Sequence, residues 1–376
     1  MKIGIMTFWW CHDNYGQILQ GYALQKYLQQ LGHEAFIIRY NHLSSTTSCR
    51  NFYKAFNPVK LFRFLRKKIL EKNAEKHTVS DRLRDFDSFR KNHMSFSEMR
   101  YETPEQLHSS PPDADVYMTG SDQVWNISHA TLANRLPYFC DFGSRDKLRI
   151  AYSASFSRDR LEPALLKKIT PYLKRYKGIA VREESGVAIC EKCGCDAIWV
   201  CDPVLLLNKE QWQKLLVPIP VKKKYVFCYM LTNPCDFSAE KLYSWASARD
   251  LEVVFVTGNR GLNPEYKLPP EAREYFLTIE EWLSYLNDAE YVITNSFHCA
   301  AFSALFEKKF AVIPLHGAHA SANTRIRSLA DKLHIRNPEI SDNDYDILLN
   351  YEPQPVNRLE IEKSKKWLAD QLEQKI

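Results

Sequence analysis

The sequence predicts an α/β fold: two Rossmann-like units facing each other across a cleft, with a helical insertion in the first. Three observations predict it. Short apolar runs of strand length alternate with amphipathic stretches at helical spacing along the chain. Most of the runs feed a polar loop holding Gly, Ser, Asn or Asp. The pattern stops at Leu216-Val217-Pro218-Ile219-Pro220-Val221-Lys222-Lys223-Lys224, two prolines and then a charge run, and restarts beyond it. The units are therefore expected at residues 1–218 and 221–350, with the insertion at about 44–110. A last helix, 356–376, is expected to pack back on the first unit.

In the first unit, residues 2–7 alternate and are rich in Ile, which reads as a strand. Residues 17–31 place Leu19, Ala23, Leu24, Tyr27, Leu28 and Leu31 at spacings of three and four, a helix stopped by Gly32. Residues 34–40 return as a strand. Inside the insertion, 52–76 and 80–93 read as helices whose basic outer face (Arg63, Arg66, Lys67, Lys68, Lys72, Lys76) suits solvent or a membrane surface. Strands then follow at 115–119, 147–153, 178–181 and 198–202, with a helix at 169–175. In the second unit, strands are expected at 225–231, 251–257, 291–294 and 309–313, and helices at 238–249, 279–287, 297–306 and 324–333.

A chain of 376 residues has room for about two domains, each able to bury a core. With 45% hydrophobic and 13% aromatic residues it is not a disordered or low-complexity chain. A net charge of +6 suits anionic small ligands and is too weak to argue for nucleic acid. No apolar run approaches the ~18–20 residues that cross a bilayer, and the start reads as a first strand rather than an export signal. The 10 irregularly spaced cysteines read as reduced thiols. A cytoplasmic protein is expected, with weak association at the inner face of the membrane left open. Cys190-Glu191-Lys192-Cys193 lacks a second ligand pair and reads as a helix end at Gly194, not as zinc; no metal is expected.

The strongest local signal is Tyr291-Val292-Ile293-Thr294-Asn295-Ser296-Phe297-His298. Here a strand ends, Asn295 or Ser296 caps, and a helix starts with His298 in its first turn. Free N–H groups and the helix dipole make Thr294, Asn295 and Ser296 an anion seat. His298 beside it is either a proton donor or a histidine that only caps or packs. Arg182, after the strand 178–181, is either an oxyanion clamp or the partner of Glu183 or Glu184. Arg325 and Arg327, after a small-residue loop holding His316 and His319, are further candidates to meet an anion. Asn14-Tyr15-Gly16 and Gly120-Ser121-Asp122-Gln123 place amide-bearing and small residues at strand ends, which suits sugar hydroxyls; Trp125 and Ser153 lie at the same edge. No GxGxxG, P-loop, HExxH or GxSxG occurs, so nicotinamide, P-loop kinase, zincin and α/β-hydrolase readings lose support.

At these residues the chain resembles the polysaccharide pyruvyl transferase family. The resemblance is carried by Asn14-Tyr15-Gly16-Gln17, Thr119-Gly120-Ser121-Asp122-Gln123-Val124-Trp125-Asn126 and Tyr152-Ser153-Ala154-Ser155-Phe156. It continues in Val181-Arg182-Glu183-Glu184-Ser185-Gly186, Cys201-Asp202-Pro203-Val204, Thr294-Asn295-Ser296-Phe297-His298 and Asn323-Thr324-Arg325-Ile326-Arg327, all in the expected order. It implies a GT-B-like pair of domains, with an acceptor side on the first unit and a donor side on the second. It also implies transfer of a pyruvyl group from phosphoenolpyruvate to hydroxyls of a sugar in a surface polysaccharide or its precursor, without a further cofactor. Arg182 and His298 match the positions linked to the donor and to catalysis. Many members carry an Arg two residues before that His, where this chain has Ser296; Arg325 or Arg327 would then supply the charge.

On this reading Arg182, His298 and Asp122 are the candidate catalytic residues. Arg182, Thr294, Asn295, Ser296, His298, His316, Arg325 and Arg327 would hold the donor. Asn14, Tyr15, Gly16, Gly120, Ser121, Asp122, Gln123, Trp125 and Ser153 would hold the acceptor carbohydrate, oligosaccharide or lipid-linked. Asp122 or Asp13 would take the hydroxyl proton. The alternative enzyme is a GT-B-type glycosyltransferase using a nucleotide-sugar, and a non-catalytic carbohydrate-binding protein is a third reading.

Overall fold

The computed structural model describes residues 1–41, 83–231, 237–258, 268–270, 272–316, 321–336 and 338–373. The helix expected at 52–76, with its basic face, and His319 lie outside these residues. The first sheet contains β1 (Lys2–Met6), β2 (Glu34–Tyr40), β3 (Phe96–Tyr101), β4 (Val116–Thr119), β5 (Leu148–Ala154), β6 (Gly178–Val181) and β7 (Ile198–Trp199). Its order is β3-β2-β1-β4-β5-β6-β7, and all the pairs are parallel. The second sheet contains β8 (Tyr225–Met230), β9 (Glu252–Thr257), β10 (Glu274–Tyr275), β11 (Tyr291–Thr294) and β12 (Lys309–Val312), in the order β10-β9-β8-β11-β12, again parallel. In each sheet the first strand in sequence lies inside, so the strand order reverses beside it. Ligand crevices of doubly wound sheets open at such points, outside the carboxyl ends.

Local chemistry fixes the helices next to those ends. Asn14 accepts the Gln17 N–H at 3.2 Å and starts the helix Tyr15–Gln30; Gly32 beyond its end takes φ +84, where a Cβ would be strained. Thr278 and Glu281 form a capping box for Ile279–Asp288. The sequence Phe297-His298-Cys299-Ala300-Ala301-Phe302-Ser303-Ala304-Leu305 has few polar side chains on any face, and the helix Phe297–Leu305 is buried at every position.

The two halves pack on each other through aromatic side chains. Tyr15 stacks on Trp282 at 5.2 Å, meets Tyr229 edge-on at 5.6 Å, and donates its hydroxyl to the Leu277 carbonyl at 2.8 Å. Trp212 packs edge-on against Phe302 at 4.8 Å. The helix Arg358–Glu373 lies on the first sheet: Ser364 Oγ accepts the Cys201 N–H, and Trp367 faces Tyr152. Glu360 on this helix accepts from Lys332 Nζ at 2.6 Å, and Lys332 lies over Trp199, so both halves and the last helix meet there.

One part of the insertion departs from expectation. Helices occur at Phe86–His93 and Pro104–Ser109, but residues between them form the edge strand β3. Only Ser97 and Tyr101 are buried in it, so its outward charges hid the strand pattern, as edge strands often do. The Cys190–Cys193 stretch closes the helix Glu184–Lys192, with Gly194 at φ +67 and both thiols buried and free.

Candidate active site

Strand ends of both sheets converge on a buried polar group. β6 turns into Arg182 and Glu183, the latter at the N-cap position of Glu184–Lys192. β7 leads to Asp202, whose Oδ1 accepts the Val204 N–H at 3.1 Å and caps the short turn begun by Pro203. β4 leads to Ser121 and Asp122. From the second sheet, β11 leads to Ser296, whose Oγ accepts the Cys299 N–H and opens the helix carrying His298. Because this helix is buried all round, the imidazole is held inside the protein.

One oxygen organises the group. Asp202 Oδ2 accepts from Ser121 Oγ at 2.8 Å and from Arg182 Nη1 at 3.2 Å. It also lies 3.6 Å from His298 Nε2, an ion-pair distance that is long for a hydrogen bond. Arg182 Nε donates to Glu183 Oε1 at 3.0 Å, and the same oxygen accepts from Ser155 Oγ at 2.8 Å. The Arg182 guanidinium lies over the Phe297 ring, 4.3 Å from its centre. Arg182, Asp202 and His298 are 3%, 1% and 5% exposed. Gly16 touches the same imidazole: a Cβ there would sit 2.2 Å from His298 Nδ1.

Burial alone would push the Asp202 carboxyl up, but His298 and Arg182 beside it hold it well below the usual carboxylate range. Burial likewise opposes the charge on Arg182; Glu183, Asp202 and Asp122 override it and raise its pKa. Arg325 is lowered to about 10, first by burial and then by Arg182, with Glu183 and Asp122 acting the other way. The Arg325 guanidinium is thus within electrostatic reach of Arg182. Arg182 Nη2, Arg325 Nε and His298 Nε2 are buried with no hydrogen-bond partner. Buried donors without acceptors are costly, and an oxyanion would satisfy them.

Other predicted residues fall in different places. Asp122 has φ +73, accepts the Gln123 N–H at Oδ1, and is within electrostatic reach of Arg182 and Arg325. Ser121 and Ser153 are fully buried, with hydroxyls 3.3 Å apart, and support Asp202. Gln123 accepts from Asn126, and Gly120 packs on Thr7. Thr294 Oγ1 donates to the Tyr229 carbonyl and accepts the Ser296 N–H, while Asn295 Oδ1 accepts the Leu231 N–H. The side chains of this loop therefore brace the second sheet. His316 is exposed.

Three readings are corrected. Tyr15 is a fully buried link between the halves, not a sugar contact. Trp125 is fully buried, stacked on Phe139, with Nε1 donating to the Tyr138 carbonyl. Arg327 makes a double ion pair with Glu339 on an exposed face, so Arg325 is the arginine of this helix that reaches Arg182. The pairing of Arg182 with Glu183 is one of the two expected for it, whereas Asp202 has no expected role; its signal in the sequence is an Asp-Pro pair at a strand end.

Two parallel doubly wound sheets packed with a common polar centre define a GT-B-like fold. A UDP-GlcNAc 2-epimerase from Methanocaldococcus jannaschii, in complex with UDP-GlcNAc and UDP, is similar at 13% identity and a TM-score of 0.50, with 99% of each chain covered. A UDP-N-acetylglucosamine 2-epimerase from Rickettsia bellii is 9% identical, with a TM-score of 0.49, 99% of this chain and 96% of that one covered. No curated relative matches the sequence. The sequence matches the family described as polysaccharide pyruvyl transferase over residues 14–317, and the chain belongs to that family.

Proposed function

We propose that the protein transfers a pyruvyl group from phosphoenolpyruvate to two hydroxyls of a sugar in a surface polysaccharide or its precursor, forming a pyruvate ketal. The observation that carries this reading is the sharing of Asp202 Oδ2 by Arg182 and His298, groups from opposite sheets. Arg182 and Arg325 hold the anionic groups of the donor, and Arg325 takes the place of the charge that Ser296 lacks. Asp202 keeps the imidazole oriented.

His298 then gives its proton to the methylene carbon of phosphoenolpyruvate, which becomes the methyl group. The first sugar hydroxyl attacks the oxocarbenium carbon so formed, and Asp122 accepts its proton. The second hydroxyl attacks the same carbon, the C–O bond to phosphate breaks, and the second proton leaves with the phosphate. The main demand is positioned charge around an anionic donor, which a fixed arginine pair meets without a covalent nucleophile.

Thermal melting with phosphoenolpyruvate and, separately, with UDP-GlcNAc tests the donor. A ligand near 100 times its Kd stabilises a protein by about 3 kcal/mol. Phosphoenolpyruvate is expected to raise the Tm of the wild type and not of Arg182→Gln. A rise with the nucleotide-sugar alone would replace this reading with a glycosyltransferase.

A further inference from the structure

A second cationic centre lies at the acceptor edge, where β1 and β4 end. Arg135 closes the short helix Leu132–Arg135, and its guanidinium is 4.7 Å from the Phe8 ring centre and 5.6 Å from that of Tyr138. Phe8 is itself held edge-on by Trp10 at 5.1 Å and by Tyr138 at 5.0 Å. Two ring faces fix the plane of the guanidinium but take none of its N–H donors. Arg135 Nε and Nη1 are buried with no hydrogen-bond partner, and so is the Tyr138 hydroxyl. Among the described residues Arg135 makes no ion pair.

Asp122 is within electrostatic reach of both centres, acting on Arg135 as well as on Arg182 and Arg325. A flat cation fixed in place with unused paired donors matches the geometry of a phosphate or carboxylate. Arg135 is half-buried, at the edge that follows Phe8 and precedes the helix-poor stretch to β5. It is separate from the Asp202 cluster, where Arg182 is already committed.

We propose that Arg135 forms an acceptor-side oxyanion subsite. It takes a phosphate or carboxylate carried by the acceptor carbohydrate while the reacting hydroxyl lies at Asp122. This deepens the proposed function and rests on its placing of the acceptor at Asp122. The anion comes from a glycosyl phosphate or from a uronic acid, and the test separates the two.

The test is calorimetric titration of the full chain with glucose 1-phosphate, glucuronate, methyl glucoside and phosphoenolpyruvate. Wild type is expected to bind one of the two anionic sugars roughly tenfold or more tightly than methyl glucoside, the size of a charge-assisted contact. Arg135→Gln is expected to abolish that preference and to leave phosphoenolpyruvate binding within about twofold; Arg135→Lys keeps part of it. If Arg135→Gln does not fold, Arg135→Lys makes the same comparison, weakening the anionic sugar alone. Equal binding of charged and neutral sugars by wild type, or a preference that survives Arg135→Gln, overturns the subsite. Loss of phosphoenolpyruvate affinity in Arg135→Gln as large as in Arg182→Gln also overturns it, by moving Arg135 to the donor. An Arg135-dependent preference in a protein that does not bind phosphoenolpyruvate supports the subsite and removes the proposed donor instead.

Discussion

Gly16, at the start of the first helix, and His298, at the start of a helix from the other sheet, are in direct contact: a Cβ on Gly16 would lie 2.2 Å from the imidazole Nδ1. The neighbour is a ring fixed in a buried helix, so it has little room to give. Gly16→Ala should therefore displace the imidazole from Asp202. Displacement by about 1 Å can cost roughly 10²-fold in rate. Assays of Gly16→Ala are expected to show kcat down by about that factor with KM for the donor little changed. Activity equal to wild type would mean that the position of His298 is not critical.

Asp202 links two functional groups through one oxygen, so Asp202→Asn should affect both. Removing one partner of a buried ion pair costs about 3–5 kcal/mol; Glu183 still pairs with Arg182, which puts the expected loss at the low end. Denaturant titration checks that value. The same variant is expected to lose at least ~10²-fold in kcat, because the imidazole loses the carboxylate that orients it.

Arg325 and Arg327 are two residues apart on one helix and have different surroundings. Arg325→Gln is expected to weaken donor binding by roughly tenfold, the scale of one charge-assisted contact. Arg327→Gln breaks only an exposed pair with Glu339 and should leave kcat and KM unchanged. Equal effects of the two substitutions would remove Arg325 from the donor site.

Glu360 sets an acid-side limit on stability. Hydrogen bonds from Lys332 and Lys363 lower its pKa to about 2, against a small opposing effect of burial. A carboxyl lowered on folding stabilises fully above its unfolded pKa, ~4.3, and that stability is lost as pH falls through the folded value. Asp202 is lowered as well and adds a loss in the same direction. The Tm of wild type should therefore fall from about pH 5 to pH 2, and Glu360→Gln should show a shallower fall. The exposed Lys363 contact keeps the difference to at most about 1 kcal/mol.

Much of the fold was legible in local pattern. The strands Glu34–Tyr40, Gly178–Val181 and Tyr291–Thr294 occupy the residues that periodicity and turn signals assign to them. β3 and the two-residue β10 were not legible, because an edge strand buries too few side chains to print an alternation. The site was partly legible: Arg182, His298 and Arg325 were read from strand and helix ends. Asp202 was not, because its role arises only when side chains from two sheets meet. Tyr15 and Trp125 were misread for a related reason: an aromatic side chain just beyond a strand end looks the same in sequence whether it faces a ligand or the core.

The most direct test of the account is phosphate release from phosphoenolpyruvate with a sugar acceptor present, comparing wild type with His298→Gln. A proton donor contributes roughly 10²–10⁴-fold. The account predicts acceptor-dependent release by wild type and a loss of that size in His298→Gln, with the folded state retained in a thermal melt. Release by His298→Gln within about tenfold of wild type would contradict it.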